Sequence, residues 1–149
     1  MAVTSIIEGA RNYIATCPLL NEIPVKSRHI SWTETPDING NYGIFADSNE
    51  PIGEPYLDGS QEWEYTLQIN VRKISDSDIK RLEQSAWLER FQNWFTVQIK
   101  TNNFPEMPDG CVPTDIKAVN AGILEVDSTG KKSTYMVQIK ITYMNYRED

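Results

Sequence analysis

The chain has 149 residues, 40% of them hydrophobic and 23% charged, and a net charge of −7 from 21 acids and 14 bases. That composition excludes a disordered tail and a fibrous protein, and a chain this long buries roughly two-thirds of its unfolded surface without a disulfide or metal staple. No apolar run approaches the ~18 residues of a bilayer span. The start, Met1-Ala2-Val3-Thr4-Ser5-Ile6-Ile7-Glu8, lacks the basic opening and long apolar core of a secretion signal, so the expectation is a soluble, intracellular protein.

In chain order, Val3, Ile6, Ile7, Ala10, Tyr13 and Ile14 recur at helical spacing over residues 3–15, with Thr4 or Ser5 available as cap and Pro18 as terminator. From Pro36 to Gly59 prolines and glycines are dense. Short strands or extended arms are expected around Ile30–Trp32, Tyr42–Phe45 and Pro55–Leu57, with turns at Asn39-Gly40 and Asp58-Gly59. Gln61 to Lys73 alternates, with Trp63, Tyr65, Leu67, Ile69 and Val71 on one face, which predicts a long half-buried strand.

Ser75-Asp76-Ser77-Asp78 then caps a helix running to about Thr101. Its apolar positions Ile79, Leu82, Ala86, Phe91, Trp94, Phe95 and Ile99 read as one core-facing stripe. The aromatics Trp87, Phe91, Trp94 and Phe95 are expected in the core rather than on a base-stacking platform. After a loop carrying Pro105, Pro108, Gly110 and Pro113, two strands (114–127 and 134–146) flank a hairpin signal at Ser128-Thr129-Gly130-Lys131. Gly122 marks a bulge or a close backbone approach in the first of them. With no repeat, linker or low-complexity tract, residues 1–149 form a single α+β domain: an antiparallel or mixed β-sheet packed on one face by two α-helices.

The residues carry little chemistry. One histidine, His29, leaves no histidine cluster, and Cys17 and Cys111 lack a C-x-x-C partner and are expected free and buried. Gly40-x-x-Gly43 lacks the lysine and helix of a phosphate loop, and Ser60 sits in no nucleophile elbow. Asp76-x-Asp78 lacks the glycine and closing glutamate of a calcium loop and suits helix capping. Glu62 and Glu64 lie on the solvent face of a strand. The expectation is no enzyme, no catalytic residue, no metal and no cofactor. Between His29 and Val71 there are eight acids and no lysine or arginine. That window is a solvated region or a face that repels polyanions or meets a basic partner. No basic patch suits sequence-specific DNA binding, and nothing suits a membrane.

The order of short motifs resembles a known family. Ile14-x-x-Cys17-Pro18-Leu19-Leu20 is followed by Tyr56-x-Asp58-Gly59-Ser60 and Trp63-x-Tyr65, then by Phe91-x-x-Trp94-Phe95. Phe104-Pro105-x-x-Pro108-x-Gly110, Ala121-Gly122-Ile123-Leu124 and Tyr135-x-Val137-Gln138-Ile139-x-Ile141-x-Tyr143 complete the series. Over nearly the whole chain this order resembles the tail terminator or minor capsid (tail completion) proteins of Gram-positive long-tailed phages and prophage-like tail elements. Gln61-Glu62-Trp63 departs from it, standing where a basic or small residue is expected.

The resemblance implies a structural protein of the virion or of a phage-tail-like particle, assembled in the bacterial cytoplasm. It implies a homo-oligomeric ring, typically a hexamer, that caps the tail tube, docks the head or neck connector proteins and lets DNA pass without sequence-specific binding. A head-completion or neck connector protein is the alternative in the same class. A small monomeric ligand-binding domain or enzyme is the alternative of another class. For a ring, the uncharged residues of the punctuated window, Tyr42, Ile44, Phe45, Ile52, Tyr56 and Leu57, are the expected subunit contacts, on chain that orders on assembly.

Overall fold

The computed structural model describes residues 3–20, 28–30, 42–74, 77–126 and 132–147. Helix α1 (Ile6–Ile14) starts where Ser5 accepts a hydrogen bond from the Glu8 backbone N–H at 3.2 Å, and a 3-10 turn over Pro18–Leu20 follows it. Strands β1 (Arg28–Ile30), β2 (Tyr42–Ile52) and β3 (Gln61–Ile74) precede the long helix α2 (Asp78–Lys100), and β4 (Cys111–Val126) and β5 (Lys132–Asn145) close the chain. The strands form one five-stranded sheet in the order β1-β2-β3-β5-β4. β2, β3, β5 and β4 are antiparallel neighbours, and the three-residue β1 joins β2 in parallel.

Alternation decides which face is buried. Leu67, Ile69 and Val71 on β3 lie directly opposite Ile139, Val137 and Tyr135 on β5, and all six are buried. On this face sit Ile6, Ala10, Tyr13 and Ile14 from α1 and Trp87, Leu88, Phe91 and Phe95 from α2, in one cluster with the strands. The two helices are joined by aromatic contacts. The Tyr13 ring of α1 is 5.2 Å from Trp94 and 6.3 Å from Phe95 of α2, and within α2 Phe91 meets Phe95 edge-on at 5.3 Å and Trp87 stacks on Phe91 at 5.1 Å. The Trp87 indole N–H donates to the Leu19 carbonyl at 3.3 Å, and the Tyr13 hydroxyl donates to the Asn103 carbonyl at 3.0 Å. Burial pushes the Tyr13 hydroxyl well above its ordinary pKa, so it stays a donor.

The sheet, the two helices and the aromatic core match the expectations, as do the free, buried cysteines. Among the described residues β4 pairs on one side only, which is where Pro113 is tolerated in a strand. Its register shifts between Val119 and Gly122, where Asn120 takes a φ of 53°, so the irregularity expected at Gly122 is present. Two expectations need correction. Residues 42–52 are one eleven-residue strand rather than a short arm, while 55–57 lie in a turn. Pro51 is accommodated because this end of β2 has no partner on its outer side among the described residues.

The second correction concerns α2. Ile79 and Leu82 are 69% and 71% exposed, and Ala86 is exposed with them. The step from Ala86 to Phe91 is five residues, about 140° around a helix. The apolar positions therefore form two stripes on different sides, and the core takes the second one, through Trp87, Leu88, Phe91 and Phe95. The expected turn at 128–131, the helix caps Ser75 and Asp76, and residues 31–41 lie outside the described residues.

Candidate assembly surface

The β2–β3 connection is a turn built by its own side chains. Asp58 Oδ1 accepts from the Ser60 backbone N–H at 2.9 Å and from Ser60 Oγ at 2.5 Å. The Tyr56 N–H donates to the Ser60 carbonyl at 2.8 Å, and the Gly59 N–H donates to the Tyr56 carbonyl at 2.9 Å. Gly59 takes a φ of 86°, which a side chain there would disfavour. Gln61 reaches back to the Gly53 carbonyl at 2.9 Å and closes the loop. The two bonds from Ser60, its side chain first, hold the Asp58 carboxyl below the usual carboxylate range. The turn fixes Leu57 in a position where it is fully exposed, beside a half-exposed Tyr56.

Sheet register brings further apolar groups to this end. Ile52 pairs with Glu62, Glu62 with Met144, and Met144 with Val112, so Ile52, Met144 and Val112 share the face turned away from the helices. Val112 is 50% exposed. Tyr146, 51% exposed, follows on the strip of chain that the Gly110 carbonyl ties down by accepting the Tyr146 N–H at 2.7 Å. The result is an apolar patch of Ile52, Tyr56, Leu57, Val112, Met144 and Tyr146. The side chains of Glu50, Glu54 and Asp58 are exposed at this end of the sheet, that of Glu62, between Ile52 and Met144, is half-buried, and Arg147, next to Tyr146, is an exposed base at the same end. Exposed apolar side chains gathered at one end of a sheet among charged ones suit a contact surface rather than a reaction site.

Farther along the same face the charges sort by rows. Glu50 stands opposite Glu64, and Lys117 opposite Lys140. Like charges placed opposite each other cost a few tenths of a kcal/mol. The ion pair of Lys140 and Glu64 at 3.7 Å links the two rows. The Gln138 amide donates to Asp47 at 3.4 Å and accepts from the Asn120 amide at 2.6 Å.

Of the six expected contact residues, Ile52, Tyr56 and Leu57 are brought together here. Phe45 is half-buried on the same face of the sheet, opposite Gln68. Ile44 is 1% exposed in the core and offers no surface, because it pairs with Ile69 on the helix-facing side. The side chains of Tyr42 and His29 lie outside the described residues. Val112, Met144 and Tyr146 were not expected, since they come from the far end of the sequence and only strand register places them here. The chain matches no protein-family model and no curated protein. Among the described residues no group of three or more histidine, cysteine, aspartate or glutamate side chains is placed to hold a metal. No helix there is long and apolar enough to cross a membrane.

Proposed function

We propose that the chain is a structural subunit that assembles with copies of itself into a ring, as the motif order resembling tail terminator proteins implies. In this reading the ring, a hexamer in that family, caps the tube of a phage tail or tail-like particle. It offers a docking face to the head or neck, and DNA passes through it without base-specific contact. The observation that supports the reading is the apolar patch at the end of the sheet. A turn closed by its own side chains holds Leu57 out in water, and register brings Val112 and Tyr146 to the same end of the sheet. A subunit contact would bury these groups, with a gain of roughly 25 cal/mol per Å² of apolar surface before the costs of association.

The subunit itself performs no turnover in this account, so His29→Ala leaves assembly intact. The test is the mass of the full chain in solution by light scattering, followed by electron microscopy of the largest species and of the chain mixed with tail tubes. Rings of defined rotational symmetry, seated at one end of the tubes, are expected. A strict monomer at every concentration, with tubes left bare, would overturn the proposal.

A further inference from the structure

The sequence holds two aspartate–glycine pairs, Asp58-Gly59 and Asp109-Gly110, and both lie in exposed turns where the glycine takes a φ of 86°. Such a pair is chemically labile, because glycine has no side chain to keep its backbone nitrogen away from the neighbouring carboxyl carbon. The two turns differ in what occupies the reacting groups. At the first, Asp58 Oδ1 accepts from the Ser60 N–H and from Ser60 Oγ, and the Gly59 N–H donates to the Tyr56 carbonyl at 2.9 Å. At the second, the Cys111 N–H donates to the Pro108 carbonyl at 3.0 Å, a bond that uses neither reacting group. Among the described residues the Asp109 carboxyl and the Gly110 N–H have no hydrogen-bond partner. The Arg147 stem lies against the Gly110 α-carbon, but its Nε donates to Asn145 Oδ1 at 3.2 Å.

We infer that Asp109-Gly110 is a site of spontaneous isomerisation to isoaspartate in the folded chain, and that Ser60 spares Asp58-Gly59 from the same reaction. The Gly110 nitrogen gives up its proton and attacks the side-chain carboxyl carbon of Asp109 in its protonated form. A C–N bond forms, a C–O bond breaks and the hydroxyl leaves as water, which closes a succinimide ring. Water then opens the ring at either carbonyl. Opening at the main-chain carbonyl leaves the backbone running through the Asp109 β-carbon, longer by one methylene, and opening at the other restores aspartate. Water is the only co-reactant, and no electron is transferred. At Asp58 the same steps are disfavoured twice. Ser60 stabilises the ionised carboxylate, which offers no leaving group, and Gly59 must break its bond to Tyr56 before its nitrogen is free. Location gives the reaction at Asp109 a structural consequence. The Gly110 carbonyl holds the Tyr146 N–H at 2.7 Å, and β4 starts at Cys111. A methylene added at Asp109 displaces the turn against both and loosens Tyr146 of the sheet-end patch, whether or not the chain forms rings.

The full-length chain, held at neutral pH below its unfolding temperature, sampled over time and digested, tests this. Isoaspartate is counted by isoaspartyl methyltransferase labelling and placed by electron-transfer fragmentation. Reaction at Asn39-Gly40, outside the described residues, is separated because it changes the peptide mass. Isoaspartate is expected to accumulate at least about tenfold faster at Asp109 than at Asp58, the factor that a hydrogen bond to a charged group supplies. Synthetic peptides covering 54–62 and 105–113, which lack the fold, are expected to react at similar rates. Ser60→Ala is expected to raise the rate at Asp58 and leave that at Asp109 unchanged. Equal rates at the two sites of the folded chain, the same bias in the peptides as in the chain, or no effect of Ser60→Ala at Asp58 each overturn the inference. In aged protein the Tyr146 amide is expected to exchange faster with solvent deuterium, and an unchanged rate overturns the structural consequence.

Discussion

Gly9 shows how a single residue can be fixed by contacts remote in sequence. A methyl group placed on its α-carbon would overlap the Glu106 carbonyl oxygen, a backbone atom that cannot swing away. Alanine is the better helix former by about 1 kcal/mol in an open helix. Overpacking a closed contact costs about 1–3 kcal/mol, so Gly9→Ala is expected to lower the urea midpoint of unfolding. A raised midpoint would mean that α1 does not lie against the 105–108 segment. Nothing in the sequence around Gly9 announces this, because its neighbour is almost a hundred positions away. Asp58-Gly59-Ser60 is the opposite case, a turn legible from adjacent residues, which the structure closes with hydrogen bonds from Ser60 to the Asp58 carboxylate.

The Asp58 carboxyl titrates below its ordinary value because Ser60 bonds its charged form. Whatever these bonds contribute is therefore fully present above the ordinary carboxylate range and fades as pH falls through the lowered value. Ser60→Ala removes the larger cause and is expected to move the Asp58 titration, followed by the NMR shift of its side-chain carboxyl carbon, back toward the ordinary value. An unchanged midpoint would show that the turn does not hold the carboxyl.

Among the elements, β3 and β5 were legible almost residue by residue, since alternation at period two survives any tertiary context that buries one face. α2 was legible in extent and only half legible in facing. Seven apolar positions at roughly helical spacing contain a five-residue step from Ala86 to Phe91, about 140° around the helix, which splits them into two stripes. The core stripe carries the stability. Phe91 is fully buried between Trp87 and Phe95, and Phe91→Ala is expected to cost about 3–5 kcal/mol in chemical denaturation. A loss below about 1 kcal/mol would contradict the packing of this helix on the sheet.

β2 was missed as a long strand because its Gly43, Pro51 and acidic residues weaken strand propensity, and pairing with β3 overrides it. That pairing has its own check. The fully buried Tyr143 donates its hydroxyl to Asn49 Oδ1 at 2.8 Å, across the intervening β3. Asn49→Ala leaves that hydroxyl without its acceptor and is expected to cost about 1–3 kcal/mol in thermal unfolding. Part of the loss should return when Tyr143→Phe is added, because the orphaned group is then gone. Strict additivity of the two substitutions would mean the bond is not formed.

At the scale of the whole molecule, the class of fold follows from the order of periodic segments, but the assembly surface does not. Ile52, Tyr56 and Leu57 are near one another in sequence and were singled out together. Val112, Met144 and Tyr146 join them only through the register of β3 with β5 and of β5 with β4, which no local pattern specifies. The same register removes Ile44 from the surface and puts it in the core.

Self-association through this gathered patch is the property on which ring formation depends. Sedimentation velocity of the wild-type chain and of Leu57→Glu, each over a wide concentration range, tests that most directly. Leu57 is fully exposed, so the substitution is expected to leave stability within about 0.5 kcal/mol of wild type. Wild type should pass from monomer to a defined larger species as concentration rises, while Leu57→Glu stays monomeric throughout. A Leu57→Glu chain that associates over the same range as wild type would contradict the account.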